Sequence, residues 1–149
     1  RGFFMSNRIK KIFGLIACLM AFIVVINPVN VFATSYGEQE VSIDRDVQLD
    51  DSHSIHIHVD AKVSYAYDED VYGWITNVEI YGDGGVGSDN VNIETLEAVE
   101  ESDYGSSAYV IRYLFCGHSF LNDYRGYINI HFECNEWGDI NSWLDYEAD

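Results

Sequence analysis

Ile55-His-Ile-His-Val-Asp-Ala-Lys-Val-Ser-Tyr-Ala-Tyr67 alternates without interruption for thirteen residues. Ile55, Ile57, Val59, Ala61, Val63, Tyr65 and Tyr67 fall on one face, and His56, His58, Asp60, Lys62, Ser64 and Ala66 on the other. Successive side chains of a strand point to opposite faces, so the pattern predicts one long strand, packed on a core in front and wet behind. Downstream, Val71 to Tyr81 alternates in the same way, with Tyr72, Trp74, Thr76, Val78 and Ile80 expected inward. The link Asp68-Glu-Asp70 is short enough for a hairpin, which makes the two strands antiparallel neighbours.

Ala108 to Phe115 is apolar at nearly every position except Arg112, as a central strand covered on both faces would be. In Tyr127 to Cys134, Ile128, Ile130, Phe132 and Cys134 share one face, with Asn129, His131 and Glu133 opposite. Asn135-Glu-Trp-Gly138 then supplies a turn with glycine where positive φ is needed, and Ile140 to Leu144 can return as a short edge strand. Val41 to Leu49 is a further strand candidate. Val91 to Val99 is another, although Ile93, Leu96 and Val99 also recur at helical spacing. The fold expected is all-β, a single antiparallel β-sandwich of about six to seven strands.

The N-terminal residues read as an address. Arg8, Lys10 and Lys11 precede an apolar run from Ile12 to Ile26, and Val31-Phe-Ala33 ends it with a small residue, the order of a secretory signal peptide cleaved after Ala33. Residues 1–33 are therefore expected to be leader and residues 34–149 one β-sandwich domain, secreted and extracellular. An uncleaved anchor is the rival reading, and it requires Asn27, Pro28 and Asn30 to be tolerated in the apolar stretch.

The chain of 149 residues carries a formal charge of −17. All 25 acids lie beyond residue 33, against Arg45, Lys62, Arg112 and Arg125, which leaves the sandwich segment at −21. Nucleic-acid binding is disfavoured, because counterion release requires a basic surface. An anionic membrane would likewise repel the chain once the leader is gone, whereas a cationic protein surface would attract it.

Candidate chemistry is sparse. His56, His58 and Asp60 share the wet face of one strand and could meet zinc or copper, His-x-His-x-Asp being a plausible ligand run. On any antiparallel strand the same face is polar for ordinary solvation. His131 would complete that site only if its strand were a neighbour. Asp83, Ser88, Asp89, Asn90 and Glu94 offer oxygen ligands to calcium, without EF-hand spacing. Trp137 and Trp143, near the terminal hairpin, are the candidate exposed aromatics for a glycan. Cys116 and Cys134 form an even pair and a candidate disulfide, provided their strands are not paired neighbours. In a simple hairpin they would stand about 20 Å apart, against the roughly 7 Å that a bridge tolerates.

No phosphate loop, nucleophile elbow, zinc-protease motif or Cys-x-x-Cys is present. The expectation is a small, acidic, non-catalytic extracellular binding module without a cofactor, its partner a cationic protein surface or a glycan. An extracellular zinc- or calcium-binding protein and a small secreted hydrolase are the alternatives.

Overall fold

A computed structural model describes residues 33–69, 71–87 and 90–149. All of the expected leader except Ala33 lies outside them. Seven strands follow one another: β1 (Ser35–Gln48), β2 (Ser54–Asp68), β3 (Tyr72–Gly87), β4 (Asn92–Glu101), β5 (Ala108–His118), β6 (Asp123–Cys134) and β7 (Ile140–Ala148). No helix occurs among the described residues. The strands make two antiparallel sheets, one ordered β1-β2-β3 and the other β4-β5-β6-β7. The fold is thus the all-β sandwich that the alternation calls for, with seven strands.

The core lies between the sheets. Ile55, Ile57, Val59, Ala61 and Val63 of β2 are all at most 1 % exposed, facing Ile111, Phe115, Ile128, Ile130 and Phe132 of the other sheet within one apolar cluster. Burying an Ile or Val is worth about 1.5–3 kcal/mol. A one-residue slip would turn the whole set of β2 outward, which is what holds its register against β1 and β3.

Three expectations about facing, those for Tyr72, Trp74 and Thr76, fail in β3, for one reason. Its ladder with β2 shifts between Ala61 and Asp60 and again between Ser64 and Tyr65. At each shift β3 carries one extra residue, Tyr81 and Thr76, and the parity inverts. Ile75 is therefore fully buried, while Thr76 is exposed and Tyr72 is 54 % exposed, packing on Trp74 on the outer face at 5.0 Å between ring centroids. Val78 and Ile80, between the shifts, pack against the core as expected.

The segment read as Val91–Val99 forms strand β4 from Asn92 to Glu101, not a helix, and β7 runs on to Ala148 with Ile140, Leu144 and Tyr146 packed against the core. Gly138 has φ 79°, as the turn before β7 requires. The outer face of β5 is half-buried rather than covered.

The disulfide is excluded by pairing. β5 and β6 are adjacent, with Cys116 opposite Arg125, nine residues from Cys134. That is about 30 Å along the strand, and both cysteines are free thiols.

The 102–107 segment joins the sheets through backbone hydrogen bonds. Ile75 N–H donates to Ser106 O and Gly105 N–H to Ile75 O, both at 2.9 Å, while Cys134 N–H donates to Ser107 O at 2.8 Å. Close by, Gly73 of β3 approaches the end of β6 so tightly that a Cβ there would stand 2.1 Å from Asn135 O.

Candidate functional site

The metal candidates share the outer face of β2, as their spacing predicts, but their nitrogens are taken by carboxylates. The register sets His56 opposite Asp46 and His58 opposite Asp44 of β1. His56 Nδ1 lies 2.8 Å from Asp46 Oδ1, and its Nε2 pairs with Asp44. His58 Nε2 lies 3.0 Å from Asp60 Oδ2. The hydrogen bond to Asp46, with the Asp44 charge behind it, holds the His56 pKa above its ordinary value, while Ser42 and then His58 lower that of Asp60. Both His56 nitrogens facing carboxylates describe a protonated ring clamped between strands rather than a free metal ligand. Among the described residues no group of three or more His, Cys, Asp or Glu side chains is placed to hold a metal ion. His131 stands on β6, in the other sheet, and cannot join His56 and His58.

Among the described residues, the oxygen ligands considered for calcium are engaged elsewhere at Asp83 and Glu94. Ser88 and Asp89 lie outside the described residues. Asp83 accepts a hydrogen bond from the Tyr113 hydroxyl at 3.0 Å, and Glu94 pairs with His118 at 3.2 Å. Asp50, which no motif singled out, gathers the β1–β2 turn onto the other sheet. It accepts hydrogen bonds from Tyr124 Oη at 2.6 Å, Ser52 N at 2.7 Å and His53 N at 2.8 Å. The Tyr124 hydroxyl first, and the Ser52 amide after it, hold its carboxyl far below the usual range.

The two tryptophans part company. Trp137 lies in the β6–β7 turn with its N–H donating to Asn135 Oδ1 at 2.9 Å. Trp143 faces outward from β7 and stacks on His131, with centroids 4.8 Å apart and planes within 3°. That stack is one wall of the most developed polar arrangement on the molecule, the outer face of the four-stranded sheet.

The register builds this face. Arg112, Asn129 and Asp145 align across β5, β6 and β7, and so do Val110, His131 and Trp143 one pair further along. Arg112 Nε donates to Asn129 Oδ1 at 2.9 Å, and Asn129 Nδ2 donates to Asp145 Oδ1 at 2.8 Å. The other Asp145 oxygen lies 2.7 Å from His131 Nε2. Arg112 Nη2 also reaches Glu147 at 3.0 Å, and its guanidinium lies over the Tyr127 ring, 5.0 Å from the centroid. Asn129 is 93 % buried by this network, being only 7 % exposed. Cross-strand pairs of this sort each add about 0.2–1 kcal/mol to a sheet. Five interlocked side chains do more, because they fix donors and acceptors in advance of any ligand.

Beside the network lies a shallow cleft of about 340 Å³. Val110, Arg112, Asn129 and His131 line it from β5 and β6, and Glu100, Glu101 and Ser102 from the β4 side. The volume stands at the low end for ligand sites, enough for one small ring or one side chain. Trp143 covers one face of the His131 ring, and the opposite face borders the cleft.

A Ser102–His131 couple does not form in this cleft. Ser102 bonds to the β5 backbone at Val110, whose partner across the next ladder is His131. Ser102 and His131 thus sit two strand spacings apart, about 10 Å between backbones, too far for a nucleophile and its base.

Of the residues read from sequence, only Trp143 and the outward-facing His131 belong to this face. Arg112, Asn129, Asp145 and Glu147 were missed as site residues. The available signal was Arg112, the lone charge in an apolar strand, together with the outward parity of Asn129. Compared with known proteins, the chain matches no family model, no curated protein and no solved structure.

Proposed function

We propose that the chain is a non-catalytic binding module of the cell exterior, and that its ligand face is the outer surface of the four-stranded sheet. The observation that carries this reading is the locked array Arg112–Asn129–Asp145–His131, with Trp143 stacked on the imidazole beside a cleft. Fixed polar groups next to an aromatic face give orientation and contact area at little entropic cost, as a recognition surface needs. The exterior location rests on the order of the leader, from Arg8 through the apolar run to Ala33.

The test is an amide and indole NMR titration with short basic peptides and neutral oligosaccharides. The Trp143 indole and the amides around Val110 and His131 should move with at least one ligand class, and Trp143→Ala should abolish the response. If no ligand moves this face, or Trp143→Ala leaves the response intact, the reading falls. Release of a cleaved product from the same mixtures would replace it with the hydrolase alternative.

A further inference from the structure

We propose that the cleft beside His131 receives the guanidinium group of an arginine presented by a basic polypeptide. This inference rests on the ligand face just described and names its occupant.

The shape calls for something flat. With one side of the His131 ring covered by Trp143 at 4.8 Å, the free side forms one wall of the cleft. Glu100 and Ser102 on the β4 side form the opposite wall, about 10 Å away between backbones at two strand spacings. Val110 is the one aliphatic residue of the lining, and the methylene stems of Arg112 and Glu100 and the imidazole carbons extend its apolar surface. A planar group with apolar faces and polar edges, stacked on the imidazole and reaching edge-on toward β4, fits this mixed lining.

The charge calls for a cation. Glu100 and Glu147 flank a single guanidinium, that of Arg112, and Asp145 is joined to it through Asn129. Glu100 Oε2 is 3.9 Å from Arg112 Nη1, beyond hydrogen-bond distance, so its carboxylate is not committed to that partner. Glu101, by contrast, turns its carboxylate to the core-facing side, where it accepts from the Tyr109 hydroxyl at 2.7 Å, so Glu100 is the acid the cleft offers. A neutral sugar would fill the space and leave the Glu100 carboxylate without a hydrogen-bonded partner.

Guanidinium in particular is favoured over ammonium. It stacks on rings and forks onto carboxylates in two parallel bonds, neither of which a lysine reproduces. The face already holds one guanidinium in this manner, Arg112 lying over Tyr127 while bonded to Glu147 and Asn129. The formal charge of −21 on residues 34–149 adds attraction at longer range for a basic chain.

The experiment uses acetylated, amidated Gly-Arg-Gly, its lysine counterpart, its citrulline counterpart, and a neutral cello-trisaccharide, each titrated into the protein and followed by amide and indole shifts. The arginine peptide should move Trp143, His131 and Val110. The citrulline peptide, isosteric but uncharged, should bind at least about tenfold more weakly, and the lysine peptide about threefold. Glu100→Gln, at an exposed site, should weaken the arginine peptide about three- to tenfold with no change in melting temperature. Equal affinity for arginine and citrulline, insensitivity to Glu100→Gln, or shifts spread over the whole acidic surface and equal for lysine would overturn the proposal. If the trisaccharide moves Trp143 and the arginine peptide does not, this proposal fails while the ligand face stands. If none of the four moves it, both fail.

Discussion

Gly73 measures how closely the two sheets are joined at the end of β6. A Cβ at this position would stand 2.1 Å from the backbone oxygen of Asn135 and 2.6 Å from Cys134 Sγ. Ordinary contact begins near 3.4 Å, so Gly73→Ala forces the β6–β7 turn back by about 1 Å, and a backbone oxygen cannot yield by changing rotamer. Overpacking of this kind costs about 1–3 kcal/mol. The retreat also strains the Cys134 N–H bond to Ser107 O and the Asn135 N–H bond to Asp139 O, each worth about 1 kcal/mol. A total near 3 kcal/mol, at a urea slope of about 1.5 kcal/mol per molar, lowers the unfolding midpoint by about 2 M. Gly84 of the same strand is the control, since a Cβ there meets nothing within 4 Å. Gly84→Ala should be neutral or raise stability by about 0.4–1 kcal/mol through the unfolded chain. Urea unfolding by near-UV circular dichroism checks both. A Gly73→Ala midpoint within about 0.3 M of the parent, or equal losses in the two variants, would refute the close approach.

Three further outcomes are expected. The Asp50 pKa is depressed in the fold, so its contribution is present above the unfolded value of about 4 and drains away as pH falls below it; melting temperature in Asp50→Asn should fall off less steeply between pH 4 and acid unfolding than in the parent, and parallel profiles would contradict the turn network. The His56 pKa is raised, so its stabilisation is complete below about pH 6.5 and is lost as pH climbs through the higher folded value; His56→Gln should flatten that alkaline decline, and an unchanged slope would remove the carboxylate clamp. Alkylation followed by intact mass should label Cys116 and Cys134 fully in urea and spare the buried Cys134, whose thiol burial pushes up, in the native state; a bridge between them would refute the β5–β6 register.

Most of the fold was legible because β2, β6 and the Gly138 turn obey local rules. Ile55 to Val63 alternate as read, and Ile128, Ile130, Phe132 and Cys134 all face the core. The facing of Tyr72, Trp74 and Thr76 was not legible, because a bulge is a property of two paired strands and leaves no mark in either alone. The His56–His58–Asp60 run was visible, but Asp44 and Asp46, which occupy the imidazoles, come from a strand whose register no local spacing reveals. The outer-face network of the four-stranded sheet was hidden for the same reason. Arg112, Asn129 and Asp145 are separated by 17 and 16 residues and meet only because β5, β6 and β7 lie side by side. Trp143 was singled out because an indole on the terminal hairpin is conspicuous without its neighbours.

In both sheets every hydrogen-bonded neighbour is also the next strand along the chain. Each hairpin can therefore zip from its own turn, with little loop entropy lost, and two meanders can form independently before they dock. What remains for the last stage is the latch made by residues 102–107, where Gly105, at φ 96°, and its neighbours clip onto Ile75 and Cys134. Substitutions in that latch should accelerate unfolding and leave the folding rate nearly untouched, the kinetic signature of contacts made after the barrier.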